Sequence, residues 1–285
     1  MKNMNAYLLM ISILIVLFNC STKTENTLDM DNYFAWCIVP FDNQNRTPEQ
    51  RMEMLHELGF KSYAYDWRQK HLPEMAHELE LAQKNNININ AIWMWISEED
   101  SVGGLSADNE QILRIIEETG TKMQLWIGIS ETWLDELSDD SSMIKSIEMV
   151  SYLSDRASQL GCKIGLYNHG GWFGDPVNQV KLIKKLPERD LGIIFNFHHA
   201  HELLDDFPAL AEEMIPYLWA VNLNGMRAEG PKILPIGKGN LEKDMIAVLR
   251  DKGFVGPYGV LGHIEEADVQ IVLQRNLEGL KSIML

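Results

Sequence analysis

The chain has 285 residues, 46% apolar and 23% charged, with 20 Gly, 10 Pro and 3 Cys. These figures exclude a disordered chain, a collagen-like repeat and a disulfide-stapled miniprotein. Lys and Arg number 25 against 41 Asp and Glu, a net charge of −16, so a nucleic-acid phosphate backbone is repelled and no nucleic-acid partner is expected.

The N-terminus starts with Lys2 and runs through an apolar stretch, Ala6 to Phe18, of 13 residues. As a helix it reaches about 20 Å, short of the about 30 Å bilayer core. Residues 1–19 therefore read as a signal peptide. Leu17-Phe18-Asn19-Cys20 resembles a bacterial lipobox, which implies export, cleavage before Cys20 and a lipid anchor on that thiol at the periplasmic or cell-surface side. Asn19 departs from the small residue usual there. Residues 20–32 are polar and aperiodic and read as a tether, leaving 33–285 as one large domain. Cys37 and Cys162 fall in apolar runs and read as buried, unpaired thiols.

Along that domain, buried-strand patterns alternate with helical spacing. The expected strands are Phe34–Phe41, Ser62–Trp67, Asn90–Ile96, Lys122–Ile129, Cys162–Asn168, Leu191–Phe197, Leu218–Asn224 and Tyr258–His263. Helices are expected over Pro48–Leu58 and Met143–Leu160, the first announced by Thr47-Pro48-Glu49-Gln50, with Thr as cap, Pro at the first position and an acceptor three residues on. Strand and helix in strict alternation mean a parallel sheet, and eight such units fit an α/β fold of the closed (β/α)8 TIM-barrel type. In that fold chemistry gathers where strands end.

Polar residues collect at those ends. Asp66-Trp67-Arg68 follows the second strand, and Ser62, Ala64 and Asp66 share its inward face by the period of two. Glu98 follows the third strand and Glu131 the fourth. Asn168-His169-Gly170-Gly171-Trp172 follows the fifth, Asn196-Phe197-His198-His199-Ala200-His201 the sixth, Asn222-Leu223-Asn224 the seventh and His263 the eighth. Of the eight histidines, five lie at the ends of strands 5, 6 and 8, which a barrel brings over one mouth. Neutral imidazoles from different strands make an open site for a divalent metal. The expected ligands are His169, His199 and His263, with Asn196 or His198 as alternates. Asp66, Glu131 and His198 are candidate general bases. Lys238, on the glycine-rich loop Pro235–Asn240, is a candidate partner for an enolate oxygen. Arg68, His71, Asn168 and Asn224 are candidate substrate contacts, and Trp67 and Trp172 candidate sugar platforms. Trp93, Trp126 and Trp219, inside strands, read as core.

Taken together, Trp36–Asp42, Ala64–Arg68 with His71, Tyr167–Trp172, Phe197–His201 and Gly262-His263 resemble the sugar phosphate isomerase/epimerase family of xylose-isomerase-like TIM barrels, in style its exported lipoprotein branch. The resemblance implies a divalent metal at the mouth and removal of a proton next to a carbonyl of a keto or aldo sugar. Isomerisation, epimerisation or, as in similar 3-keto-glycoside lyases, elimination would follow. The family's metal carboxylates are replaced here by Asn168-His169, Asn196 and His263, a set that suits Mn²⁺, Co²⁺ or Zn²⁺ better than Mg²⁺. Two other readings remain open: a metal-independent glycosidase using Glu98 and Glu131, and a non-catalytic glycan-binding lipoprotein.

Overall fold

The computed structural model describes residues 28–134 and 137–284. The signal segment, Cys20 and residues 21–27 of the expected tether lie outside the described residues. The rest of that segment is folded onto the domain. Met30–Asn32 form a 3-10 turn capped by the Asp29 side chain, and Leu28 and Met30 pack against the hydrophobic core.

Eight parallel strands close in sequence order into a barrel: β1 Tyr33–Trp36, β2 Ser62–Tyr65, β3 Asn88–Ile96, β4 Gln124–Ile129, β5 Lys163–Tyr167, β6 Leu191–Asn196, β7 Leu218–Leu223 and β8 Tyr258–Leu261. β1 and β8 seal the ring, with Trp36 opposite Leu261. Around it run α1 Pro48–Glu57, α2 Leu72–Lys84, α3 Ala107–Thr119, α4 Glu131–Leu134, α5 Asp139–Gln159, α6 Gly171–Gly174, α7 Pro176–Lys185, α8 Phe207–Met214, α9 Glu242–Asp251 and α10 Val269–Met284. Among the described residues no helix is long and apolar enough to cross a membrane.

Local chemistry sets these boundaries. At the start of α1, the Gln50 amide donates to the Thr47 hydroxyl and the Gln50 side-chain carbonyl accepts from the Thr47 amide, the reciprocal cap expected of that motif. The expected second helix begins four residues earlier, at Asp139, because the Ser138 hydroxyl caps it by accepting from the Ser141 amide. β1 stops well short of Phe41. Cys37 takes a left-handed backbone, φ +56°, which turns the chain out of the sheet and across the barrel mouth.

Two packed layers result. Outside the ring, Leu55, Leu79 and Ile112 are fully buried between helices and strands, each contributing about 1.5–3 kcal/mol. There the buried Arg51 Nε also meets Glu78 Oε1 at 2.7 Å, with the Tyr63 hydroxyl donating to the same oxygen at 2.9 Å, so α1, α2 and β2 are tied together. Inside the ring, Phe34, Trp36, Ala64, Ala91, Trp126, Tyr167, Ile194, Ala220 and Leu261 form a separate core. Large rings fit because small residues face them: a methyl group on Gly192 would sit 2.0 Å from the Trp219 ring.

Candidate active site at the barrel mouth

The inward face of each strand projects its next residue but one over the mouth. Asp66 stands two positions beyond Ala64, His169 beyond Tyr167, His198 beyond Asn196 and His263 beyond Leu261. His199 joins them through the 3-10 turn Phe197–His199. These residues, with Trp36, Cys37, Phe41, Arg68, Trp93 and Tyr167, line a cavity of about 70 Å³ that opens to solvent. That is room for several waters or small ligand groups.

Four imidazoles meet there. Ring centres are 4.4 Å apart for His169 and His199, 3.7 Å for His198 and His199, and 5.6 Å for His198 and His263. All four are held neutral. Burial, first, and the charges of neighbouring groups push His199 down to about 2 and His263 to about 4, and His169 and His198 also below the usual range. The Lys232 charge, on the loop after β7, contributes to each of these shifts.

The test for a metal turns on donor atoms. The Asn196 carbonyl oxygen accepts from the His198 backbone amide at 3.4 Å and contacts His198 Nδ1 at 2.9 Å. Because that oxygen accepts, Nδ1 carries the proton and Nε2 keeps its lone pair, the tautomer a ligand needs. His263 Nδ1 is buried without a partner. Ligating nitrogens lie about 2.0–2.1 Å from a zinc-like ion, so ligand ring centres sit on the order of 5 Å apart. The His169–His199 and His198–His263 spacings suit that, whereas His198 and His199 are in direct ring contact and cannot both face one ion. By chemistry and tautomer the set fits a borderline divalent ion. As placed, no three His, Cys, Asp or Glu side chains converge as a ready coordination shell among the described residues.

Opposite the imidazoles lies a single buried carboxyl. Asp66 is 2% exposed. Its Oδ1 accepts from the Val39 amide at 3.3 Å, and its Oδ2 has no partner. Burial raises it to about 7, partly offset by the Val39 amide and the Arg68 charge. Arg68 does not pair with it. The guanidinium lies over the Phe41 ring at 5.0 Å and donates to the Trp67 carbonyl at 2.9 Å. The ring of Phe41 in turn packs on His263 at 3.7 Å.

Several sequence-based expectations need correction. Asn196 is engaged within the barrel: its oxygen faces His198 and its amide the Tyr167 hydroxyl. Asn168 stitches β5 to β6, accepting from the Asn196 amide at 2.7 Å and donating to its carbonyl at 3.2 Å. The Asn224 amide bonds the Gly225 carbonyl at 2.9 Å within its own loop. Trp67 donates to the Trp93 carbonyl at 2.6 Å, and neither it nor Trp172 lines the cavity. His71 sits behind Arg68, accepting from its backbone amide at 2.9 Å. Glu131 is exposed beside Gly170 and Gly171, and Glu98 accepts from Ser130 and Thr132; neither carboxylate lines the cavity, so the two-carboxylate arrangement is not assembled there. Lys238 is exposed, and its glycine loop is already filled. Glu242 Oε1 accepts from the Gly237 and Gly239 amides and Oε2 from the Met226 amide, each at 3.0 Å. Conversely Trp93, expected in the core, lines the cavity, as do Cys37, Phe41 and Tyr167, which sequence patterning does not single out for a site role. Phe41 arrives on the irregular loop after β1, where the sequence pattern suggests a continuing strand.

With this geometry in hand, comparison with known proteins is informative about fold. No family model and no curated protein matches the chain. Among solved structures, the IOLI protein with a bound zinc atom aligns at TM-score 0.67 and 13% identity, over 88% of this chain and 97% of its own. A 3-keto-D-glucoside 4-epimerase from E. coli aligns at 0.63 and 16%, over 89% and 98%. A D-psicose 3-epimerase solved with D-fructose aligns at 0.62 and 14%, over 87% and 96%. The fold is the xylose-isomerase-like (β/α)8 barrel. Cys37 and Cys162 are both free and buried within it.

Proposed function

We propose that the mouth of this barrel binds a small sugar and moves a proton at the carbon next to its carbonyl, a sugar isomerase or epimerase-type activity. The observation that carries the reading is one cavity holding four neutral imidazoles opposite a buried carboxyl with an unpartnered oxygen. Sugar epimerases among the solved structures of the same fold support it, and so does a zinc-bearing one.

In this reading His263, His169 and either His198 or His199 hold a divalent ion, Mn²⁺, Co²⁺ or Zn²⁺ in preference to Mg²⁺. When bound, it supplies Lewis-acid polarisation of the substrate carbonyl. Asp66 is the proton carrier. Its raised pKa places it near the working pH, where a carboxyl both takes and returns a proton, and its free Oδ2 is the atom that does so. Asn196 holds the His198 tautomer. Trp36, Trp93 and Phe41 wall the cavity, limit water and offer apolar faces to a sugar ring. The same deprotonation leads to isomerisation, epimerisation or expulsion of a β-oxygen, as in a 3-keto-glycoside lyase, and the product distinguishes them.

The test is metal analysis of purified protein, followed by assay on simple ketoses and 3-keto-glycosides. His263→Ala is expected to lose both the metal and turnover. Retention of either overturns the assignment. The lipobox-like segment adds the proposal that the enzyme is exported and anchored through Cys20, where it would meet sugars outside the cytoplasm.

A further inference from the structure

We infer that the sugar taken at this mouth is an acid, carrying a carboxylate that Arg68 receives. The inference rests on the proton-transfer reading and adds to it the class of substrate. Its starting point is a contrast: the chain carries a net charge of −16, yet the only fixed charge lining the cavity besides Asp66 is the Arg68 cation.

Arg68 is built for recognition rather than for an internal salt bridge. Among the described residues its side chain makes no ion pair. It is held instead by the Phe41 ring and by one hydrogen bond, Nη1 to the Trp67 carbonyl, while His71 fixes its backbone amide. A guanidinium has five N–H donors. One is used, and the others have no protein partner among the described residues. Arg68 is exposed at the rim of the cavity, and its planar fork, resting on the Phe41 ring with donors free, suits a planar carboxylate. Glu131, Glu265 and Glu266, the acids of neighbouring loops, are exposed and outside the cavity lining.

A carboxylate fits better than a phosphate. One guanidinium edge matches a single planar anion. A phosphate dianion is usually cradled by backbone amides, and the glycine loop that could supply them, Gly237 to Gly239, already holds the chain's own Glu242 carboxylate.

The experiment is calorimetric titration of the full chain with D-glucuronate, D-glucose and D-glucose 6-phosphate, repeated on Arg68→Gln and Arg68→Lys. Expected is glucuronate binding about tenfold or more tighter than glucose, an advantage that shrinks about tenfold in Arg68→Gln, partly returns in Arg68→Lys and weakens with added salt. Equal affinity for glucuronate and glucose, no glucuronate binding, a preference for the phosphate, or an advantage that survives Arg68→Gln each overturns the inference. Metal content and ketose turnover, measured on the same preparations, separate the two claims. Loss of the glucuronate preference with the metal and turnover intact sinks the carboxylate alone; absence of metal and turnover with the preference intact sinks the proton-transfer reading alone.

Discussion

Asp66 combines two demands that oppose each other. Its buried position keeps one oxygen free for a proton, and the same burial penalises the charged form. An acid whose folded pKa lies near 7 binds more protons than the unfolded chain, where it titrates near 4. Its contribution to stability is therefore complete below about pH 4 and is lost as pH rises through about 7, at about 1.4 kcal/mol per pH unit at most. Asp66→Asn is expected to melt at a higher temperature than the wild type at pH 8, with the gap closing toward pH 4. The same variant is expected to lose turnover by about 10²–10⁴-fold, along with the activity limb near pH 7. Thermal melts across that range and a pH–rate profile check both. Asp66 was legible in sequence because it lies on the inward period-two face of its strand, two residues beyond Ala64. The commitments of Asn168 and Asn196 were not: neither lines the cavity, and both are taken up by hydrogen bonds to β5, β6 and His198 that only the fold brings within reach.

Loops decide which side chains reach the mouth, and each loop is held by its own chemistry. The turn at Cys37 sends Phe41 over His263. The segment from Met226 to Gly239 is tied by one carboxylate, since Glu242, 2% exposed at the start of α9, accepts three backbone amides. Glu242→Ala leaves those three donors without their acceptor, at about 1–3 kcal/mol for each that stays buried. Such a variant is expected to lose several kcal/mol in urea denaturation while keeping the same metal content as the wild type, which denaturation curves and metal analysis on the same sample check. Lys238, chosen from the glycine-rich pattern, is thereby displaced as a candidate. Glycines around a lysine look like an anion cradle in sequence, but only the structure shows the cradle filled from within.

At the scale of the whole molecule, ring closure is what makes a site from residues nearly a hundred positions apart. His169 and His263 lie two residues beyond β5 and β8, and the cyclic order of parallel strands points all strand ends the same way. The net charge of −16 belongs to this scale too, because it repels polyanions. The proposed anchor at Cys20 is also tested on the whole chain. Cys20→Ala is expected to shift the expressed protein from the membrane fraction to the soluble fraction and to remove a lipid mass increment. Fractionation and mass spectrometry check it, and an unchanged distribution removes the anchor.

The alternation of apolar strands with helical periodicity by itself determined the eight-unit barrel, because a parallel sheet needs a crossover for every strand and burial fixes each crossover's face. It also determined which histidines and which aspartate rise over the mouth, through the period of two. What only the tertiary structure decided was the use of each polar group there. A side chain's partners come from other strands and from irregular loops, where neighbours in space leave no periodic trace in the sequence.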